Sequence, residues 1–163
     1  MGHQGWLTED EQQAWRLLLR VALTLVDRLD AELRQAHDLP LGDYEILAHL
    51  SSQPDHRLRM RDLAERALVS KSRLTHTIDR LERRGYVRRE PCETDRRGIS
   101  ATLTSSGRTA LERAAPTHVE GVRRLLIDQL SPSRVGDLTG ALRPVLDAMT
   151  SNSPELPTGR PRD

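Results

Sequence analysis

The sequence predicts a mainly α-helical fold that carries one small β-hairpin. Apolar residues recur at steps of three and four before residue 36 and again after residue 105, which is the spacing of one helix face. Between residues 86 and 104 this period is lost, and two short strand-like runs flank a polar connection over residues 91–98. The whole chain, residues 1–163, is long enough to form a single domain with its own core.

The composition excludes several classes of protein. A single cysteine cannot close an intramolecular disulfide, so a secreted fold held together by disulfides is not expected. The first residues have neither the basic nor the apolar part of a signal peptide. No apolar stretch reaches the ~18–20 residues that a membrane span requires. We therefore expect a cytoplasmic protein with no membrane partner.

Charge is distributed unevenly along the chain. The formal net charge is only +1, from 25 Lys and Arg against 24 Asp and Glu. Residues 57–97 hold thirteen of the basic residues and seven of the acidic ones, a net charge of +6, and the rest of the chain carries −5. Such a basic segment is typical of a module that faces a polyanion. A solvated arginine-rich surface would give the same count.

The first two helices are delimited by clear signals. Residues 8–36 form the first predicted helix, and Thr8 and Glu11 have the spacing of a capping box at its start. Pro40 ends this helix, because the residue before a proline disfavours the α conformation. A second predicted helix runs from about residue 41 to residue 50.

Next come the elements of a helix-turn-helix. A short helix covers about residues 60–67, and after a tight turn Ser70 is a good N-cap for a longer helix that reaches Arg84. Gly85 then stops the helix, because glycine tolerates a positive φ. With the hairpin behind it, this order of elements predicts a winged helix-turn-helix over residues 41–104.

The longer helix has an apolar side and a polar side. Leu74, Ile78 and Leu81 fall together when residues are placed at 100° intervals. The other sides carry groups that hydrogen-bond to base edges and phosphates. The residues that we assign to DNA contact on this helix are Lys71, Ser72, Arg73, Thr75, His76 and Arg80. The alternative is an ordinary amphipathic helix with a solvated side, on which Asp79 and Arg83 form an intrahelical ion pair.

The predicted hairpin is rich in arginine. Arg88 and Arg89 lie on its first strand, and Arg96 and Arg97 lie near its tip beside Asp95. A guanidinium gains from the negative potential of a narrow minor groove, and an adjacent carboxylate holds it extended. We therefore assign Arg96 and Arg97 to DNA contact and Asp95 to stabilising the wing. The alternative is a mobile charged loop that prevents aggregation.

Four segments carry motifs of a known family. They are Leu63-Ala64, Ser72-Arg73-Leu74-Thr75, the run from Arg80 to Arg89, and Asp95-Arg96-Arg97-Gly98 leading to Leu103-Thr104. Over about residues 10–149 the sequence thereby resembles the MarR (multiple-antibiotic-resistance regulator) family of bacterial winged-helix transcription factors. The resemblance implies that Arg97 enters the minor groove with Asp95 as its partner. It also implies a homodimer in which the first and the last two helices of each chain interlock.

The end helices suit that dimerisation role. The helices over residues 8–36 and 105–149 carry more leucine than the central head can bury, and pairing between subunits would cover the surplus. A two-fold dimer predicts a pseudo-palindromic site with half-sites roughly 10 bp apart. Pro116 is expected to kink or interrupt its helix, and Pro144 is an awkward interior residue. Residues 151–163 are expected to form a disordered tail.

These features predict a sequence-specific regulator that binds double-stranded DNA as a homodimer, with ligand-responsive repression as its mode. Regulators similar to it bind small phenolic acids, which assigns Trp15, Arg16 and His49 to a pocket for an aromatic or phenolic effector. Trp15 also lies on the apolar line of the first helix and is expected in the core.

Two other functions fit parts of the sequence. One is a helical protein-interaction module whose arginine-rich surface binds an acidic partner. The other is redox sensing through Cys92, which has arginines near it in the sequence. The chain has no catalytic motif, paired metal-ligand spacing or nucleotide fingerprint, so we expect neither enzyme activity nor a bound metal or cofactor.

Overall fold

The computed structural model describes residues 6–92 and 95–151, except for the side chains of residues 95–97 and 151. It confirms a mainly helical fold with a small antiparallel sheet. The elements in chain order are α1 (Glu9–His37), α2 (Leu41–Ser51), β1 (Arg57–Arg59), α3 (Met60–Arg66), α4 (Lys71–Arg83), β2 (Val87–Cys92), β3 (Asp95–Leu103), α5 (Ser105–Leu125), a 3-10 turn (Ile127–Gln129) and α6 (Pro132–Ser151).

The chain divides into two compact units. The first ends at Arg123 and the second begins at Arg124, so the second contains α6. The predicted tail lies outside the described residues, apart from the backbone of Ser151 at the end of α6. None of the described helices is long and apolar enough to cross a membrane.

Helix α1 begins and ends as the sequence predicts. The Thr8 hydroxyl accepts from the Glu11 N–H at 3.3 Å, and the Glu11 carboxylate accepts from the Thr8 N–H at 2.7 Å, which completes the capping box. Asp38 ends the helix in the left-handed region with a φ of 51°. Leu29 and Leu33, near the C-terminal end, are buried. Only that end of α1 therefore belongs to the core of the chain.

The core of the first unit lies between α2, α3 and α4. Leu74, Ile78 and Leu81 of α4 are almost completely buried, which confirms the predicted inner face of that helix. They share the core with Leu47 of α2 and Leu63 of α3. Burying such side chains stabilises the fold by roughly 1.5–3 kcal/mol each, so this contact holds α4 in place.

The sheet is larger than the predicted hairpin. It has three antiparallel strands in the order β1-β3-β2, and the three residues of β1 pair with Ser100, Ala101 and Thr102 of β3. The two strands of the wing also extend further, to Cys92 and from Asp95, so the prediction of a polar loop over residues 91–98 is wrong. The wing is therefore a longer paired ribbon.

The turn after α4 is built tightly against α5. Gly85 has a φ of 71°, as predicted for the residue that stops α4. The Thr104 hydroxyl donates to the Gly85 carbonyl at 2.7 Å and accepts from the Gly107 N–H at 3.0 Å, so it caps α5. A Cβ at Gly107 would lie 2.1 Å from the carbonyl oxygen of Tyr86. Glycine is required there because α5 packs directly on this backbone.

The two prolines do not divide their helices. α5 continues through Pro116 as one helix, so the predicted interruption is wrong, and it ends at Leu125 before the 3-10 turn. Pro116 itself is exposed, and Leu111, Ala114 and Gly121 on either side of it in α5 are buried, so the helix is packed before and after the proline. α6 starts at Pro132, since proline is favoured at the first position of a helix, and contains Pro144 in its interior.

His118 of α5 is partly buried against α2. Its ring lies 4.5 Å from the ring of Tyr44 in α2, and its buried Nδ1 atom has no hydrogen-bond partner among the residues that the structure describes. Burial lowers the pKa of His118, against a smaller opposing effect of Glu45. The folded protein therefore resists protonation at this position.

We expect this histidine to make the fold less stable as the pH falls. Below about pH 6.5 an unfolded chain binds a proton at His118 that the folded chain does not, so the free energy of unfolding decreases. Denaturant titrations of the parent and of His118→Gln between neutral and mildly acidic pH test this. The stability of the parent relative to the variant should decrease with falling pH, by at most about 1.4 kcal/mol per unit of pKa shift. Parallel pH profiles would contradict it.

Candidate DNA-binding surface

The outer face of α4 presents most of the predicted DNA contacts to solvent. Lys71, Ser72, Arg73, Thr75 and His76 are all exposed, because Leu74 and Ile78 direct the opposite face into the core. The turn between α3 and α4 is completed by Leu68 in the left-handed region, with a φ of 52°. α3, this turn and α4 form the predicted helix-turn-helix.

The first turn of α4 has a favourable geometry for an anion. The Ser70 hydroxyl accepts from the Arg73 N–H at 3.2 Å, which confirms it as the N-cap. The other N–H groups of a first turn have no partner within their helix, and the helix dipole is positive at that end. Lys71 and Arg73 add two full positive charges there. A phosphate is the natural ligand of this arrangement.

Thr75 has a more restricted role than the sequence suggests. Its hydroxyl donates to the carbonyl oxygen of Lys71 at 2.9 Å, one turn earlier in α4. Because the proton is used within the helix, the oxygen faces solvent as an acceptor. Thr75 can therefore accept a bond from an exocyclic amine of a base.

Arg80 holds α4 against α2. Its guanidinium makes a two-pronged ion pair with Asp43, whose side chain has no exposed surface, and Nε donates to Oδ2 at 2.8 Å. The bond to Asp43 raises the pKa of Arg80, against the opposing effect of burial. The sequence grouped Arg80 with the DNA contacts. The structure instead gives its guanidinium a partner inside the protein.

The acidic residues of α4 are paired with the wing. The Arg89 guanidinium of β2 contacts Asp79 Oδ1 at 2.5 Å and Glu82 Oε2 at 2.6 Å. The predicted ion pair between Asp79 and Arg83 does not form, because Arg89 takes the Asp79 carboxylate. Arg83 Nε donates instead to the Asp79 carbonyl at 3.2 Å. Both carboxylates of α4 are thereby paired with one guanidinium within the protein.

Arg88 and Arg89, the two wing arginines whose side chains are described, bind different partners. Arg89 binds α4, whereas Arg88 Nε donates to Glu90 at 2.6 Å on the ribbon itself. The Glu90 carboxylate also accepts from Thr102 at 2.7 Å. The backbones of Asp95, Arg96 and Arg97 lie in β3, but their side chains are outside the described part of the structure. Their roles stay predictions.

The structure does not assemble the predicted effector residues. Trp15 is 52% exposed, so the prediction that it lies in the core of the chain is wrong. Arg16 donates to Gln12 on the same helix at 3.1 Å, and His49 lies on α2. Among the described residues, no hydrogen bond links Trp15, Arg16 and His49 to one another. Their grouping stays a prediction.

Cys92 is enclosed in the sheet. Its side chain is buried and Sγ lies 2.9 Å from the hydroxyl of Ser100. Oxidant-sensing cysteines are typically accessible, and this one is not. Within the described ranges, no three His, Cys, Asp or Glu side chains are grouped so that they could hold a metal ion.

We expect the buried pair between Asp43 and Arg80 to be asymmetric. Arg80→Ala should lower the free energy of unfolding by about 3–5 kcal/mol, because it leaves a buried carboxylate without its partner. Asp43→Ala should cost less, since the Arg80 side chain is 42% exposed and can turn to water. Denaturant titration at fixed protein concentration measures both. Arg83→Ala, an exposed arginine of the same helix, is the control and should stay within about 0.5 kcal/mol. Equal losses for the two partners would contradict the asymmetry.

Comparison with known proteins agrees with this geometry. The family model described as "MarR family" matches residues 37–98. The HTH-type transcriptional regulator PecS of Dickeya dadantii is 33% identical over 110 residues, which cover 67% of this chain and 66% of PecS. The repressor YetL of Bacillus subtilis is 36% identical over 52% of this chain and 51% of its own length. The chain thus spans between half and two thirds of these two curated relatives.

Two solved structures are similar over nearly the whole chain. AbsC, a MarR family transcriptional regulator from Streptomyces coelicolor, is 44% identical with a TM-score of 0.86 and covers 91% of this chain and 100% of its own. Sco3205, a MarR family regulator from the same organism solved in complex with DNA, is 38% identical with a TM-score of 0.87, and 96% of each chain is covered. Helix-turn-helix, wing and sequence agree, and the chain belongs to the MarR family of transcriptional regulators.

Proposed function

We propose that this protein is a sequence-specific regulator that binds double-stranded DNA as a homodimer. One observation carries the proposal. On the exposed face of α4, the donors Lys71, Ser72, Arg73 and His76 have no side-chain partner among the described residues, while Asp79 and Glu82 of the same helix are both paired with Arg89. A helix face left positive and unsatisfied is suited to a polyanionic ligand. The DNA complex of the similar Sco3205 supports this choice of ligand.

The proposed DNA contacts are of two kinds: contacts to phosphates, which position the protein on the duplex, and contacts to bases, which recognise the sequence. Lys71 and the first turn of α4 would hold a backbone phosphate, which fixes the register but carries no sequence information. Arg73 would bind a guanine through O6 and N7, and Thr75 would accept from a base amine. For the wing we propose that Arg97, with Arg96 beside it, enters the minor groove and that Asp95 orients it.

The homodimer is proposed from uncovered apolar surface. On α1, Trp15, Leu18 and Val26 are each about half exposed. On α6, Leu142, Val145 and Met149 are also exposed, and no described residue of that helix is buried. Apolar faces of this extent mark association surfaces. A two-fold dimer presents two recognition helices to half-sites about one DNA turn apart.

Regulation is the less constrained part of the proposal. The names of its relatives include a repressor in Bacillus subtilis and an activatory protein in Rhodopseudomonas palustris. We propose repression that an aromatic or phenolic effector relieves, with Trp15, Arg16 and His49 as its contacts. The effector would favour a dimer whose heads cannot reach both half-sites at once.

Titration of duplex DNA tests the DNA-binding proposal. The full chain should bind the duplex from upstream of its own gene more tightly than a random duplex, with a steep dependence on salt. Arg73→Ala should weaken this binding by about 1–3 kcal/mol, because a bidentate base contact is lost. Fluorescence anisotropy of a labelled duplex measures both.

The control for that titration is Arg113→Ala. Arg113 is an exposed arginine of α5, so its replacement changes the net charge equally without touching α4. Binding that does not distinguish the two duplexes, or equal effects of the two substitutions, would count against the proposal. A protein-interaction module would give the first of these results.

Dimerisation is tested separately by Leu18→Glu. Burying a carboxylate in an apolar interface without a partner costs several kcal/mol, so the variant should sediment as a monomer where the parent is a dimer. Gln13→Glu introduces the same charge at an exposed polar position of α1 and should remain dimeric. If Leu18→Glu stays dimeric, the α1 surface is not the interface. Analytical ultracentrifugation distinguishes the two states.

A further inference from the structure

Arg89 of β2 binds three successive positions along one stripe of α4. Nη1 donates to Glu82 Oε2 at 2.6 Å, and Nη2 donates to Asp79 Oδ1 at 2.5 Å and to the Thr75 carbonyl at 3.3 Å. The backbone N–H of Arg89 also donates to Glu82 Oε1 at 3.1 Å. Residues 75, 79 and 82 are spaced by four and three, so one side chain spans two turns of the helix.

The space beside this contact is not filled by packing. A cavity of about 560 Å³ lies between α4 and the wing, lined by Leu74 and Thr75 on the helix and by Arg89 and Ile99 on the strands. Ile99 of β3 is half exposed. Beside this cavity, the hydrogen bonds and ion pairs of Arg89 bridge the helix and the ribbon.

We propose that Arg89 is a positioning residue for DNA recognition, which fixes the wing relative to α4 and does not itself contact DNA. The inference rests on the proposed function. A recognition helix in one groove and a wing in the next must be held at a spacing that the duplex determines. Fixing that spacing before binding reduces the ordering cost of the complex.

The chemistry of the contact suits this role. Arg89 is three-quarters buried, and both terminal nitrogens are used within the protein. An arginine fork can hold two carboxylates in one plane, whereas the single ammonium of lysine cannot. Asp79 and Glu82 would repel a phosphate backbone if they were unpaired. Their presence on a DNA-facing helix is explained if they hold the wing.

The ratio of operator affinity to random-duplex affinity measures positioning. Arg89→Ala should lower this ratio about tenfold, comparable with the loss of one base contact. The double variant Asp79→Asn/Glu82→Gln should lower it to a similar extent. Electrostatics alone predicts the opposite for the double variant, because it removes two negative charges from a DNA-facing helix. The triple variant, which combines Arg89→Ala with Asp79→Asn/Glu82→Gln, should lower the affinity ratio no more than Arg89→Ala or the double variant does. All of these substitutions remove the same set of ion pairs, so their effects are not additive.

Two matched variants complete the experiment. Arg88→Ala removes the same charge from the neighbouring residue, whose side chain pairs with Glu90, and should keep the ratio. Arg89→Lys keeps the positive charge but lacks the forked guanidinium, so it should lower the affinity ratio nearly as much as Arg89→Ala. If circular dichroism shows that Arg89→Ala does not fold, Arg89→Lys provides the test of the inference in its place.

The inference is overturned by any of three results. The first is an unchanged affinity ratio in Arg89→Ala, and the second is a higher ratio in the double variant. The third is a decrease of about 0.9 in the slope of log affinity against log salt concentration for Arg89→Ala, which would indicate a lost phosphate contact. The full chain and the duplex from upstream of its gene are used throughout. Absence of any preference by the parent protein is a different outcome, because it refutes the proposed function before a variant is measured.

Discussion

The pairing of arginine with carboxylate determines which surface of this protein is left for a ligand. Asp43 is fully buried in α2, and a charge in that position requires a partner. Arg80 supplies it from α4, so the recognition helix has one rotation in which this pair and the apolar face of Leu74 and Ile78 are both satisfied. The exposed donors of α4 then follow, since they occupy what remains of the helix.

Pairing within the protein also changes how the basic segment over residues 57–97 is interpreted. Its net charge of +6 suggests a uniformly positive surface, but several of its arginines are bound internally. Arg84 donates to the Asp38 carbonyl at 2.5 Å and lies 4.9 Å from the ring of Tyr86, while Arg80 and Arg89 tie α4 to its neighbours. Arginine thus has two roles here. Some arginines hold the elements of the head together, and Arg73 is exposed with Lys71 in the first turn of α4.

Local signals made most of the fold predictable. Thr8, Ser70 and Gly85 act within one turn of their own position, and a sequence shows such signals directly. β1 was missed because three residues are too short to show a period. Partners distant in sequence were missed for a related reason: Asp43 lies 37 residues from Arg80, and nothing near either residue indicates the other. The role of Arg89 as the partner of Asp79 and Glu82 could have been predicted only by asking which basic residue pairs with the acidic residues of α4.

Which apolar side chains of α1 are exposed was harder to predict than the helix itself. Trp15 and Leu33 lie on one apolar line of α1, yet Trp15 is half exposed and Leu33 is buried, because core and interface use the same residue types. The buried end is tied to the head: the Asp30 carboxylate accepts from the N–H of Leu41 at 2.8 Å, at the start of α2. From α2 the contact continues through Asp43 to α4. A shift of α1 at the proposed dimer interface would therefore reach α4 through α2, and the quantity that the proposed effector would change is the separation between the two recognition helices.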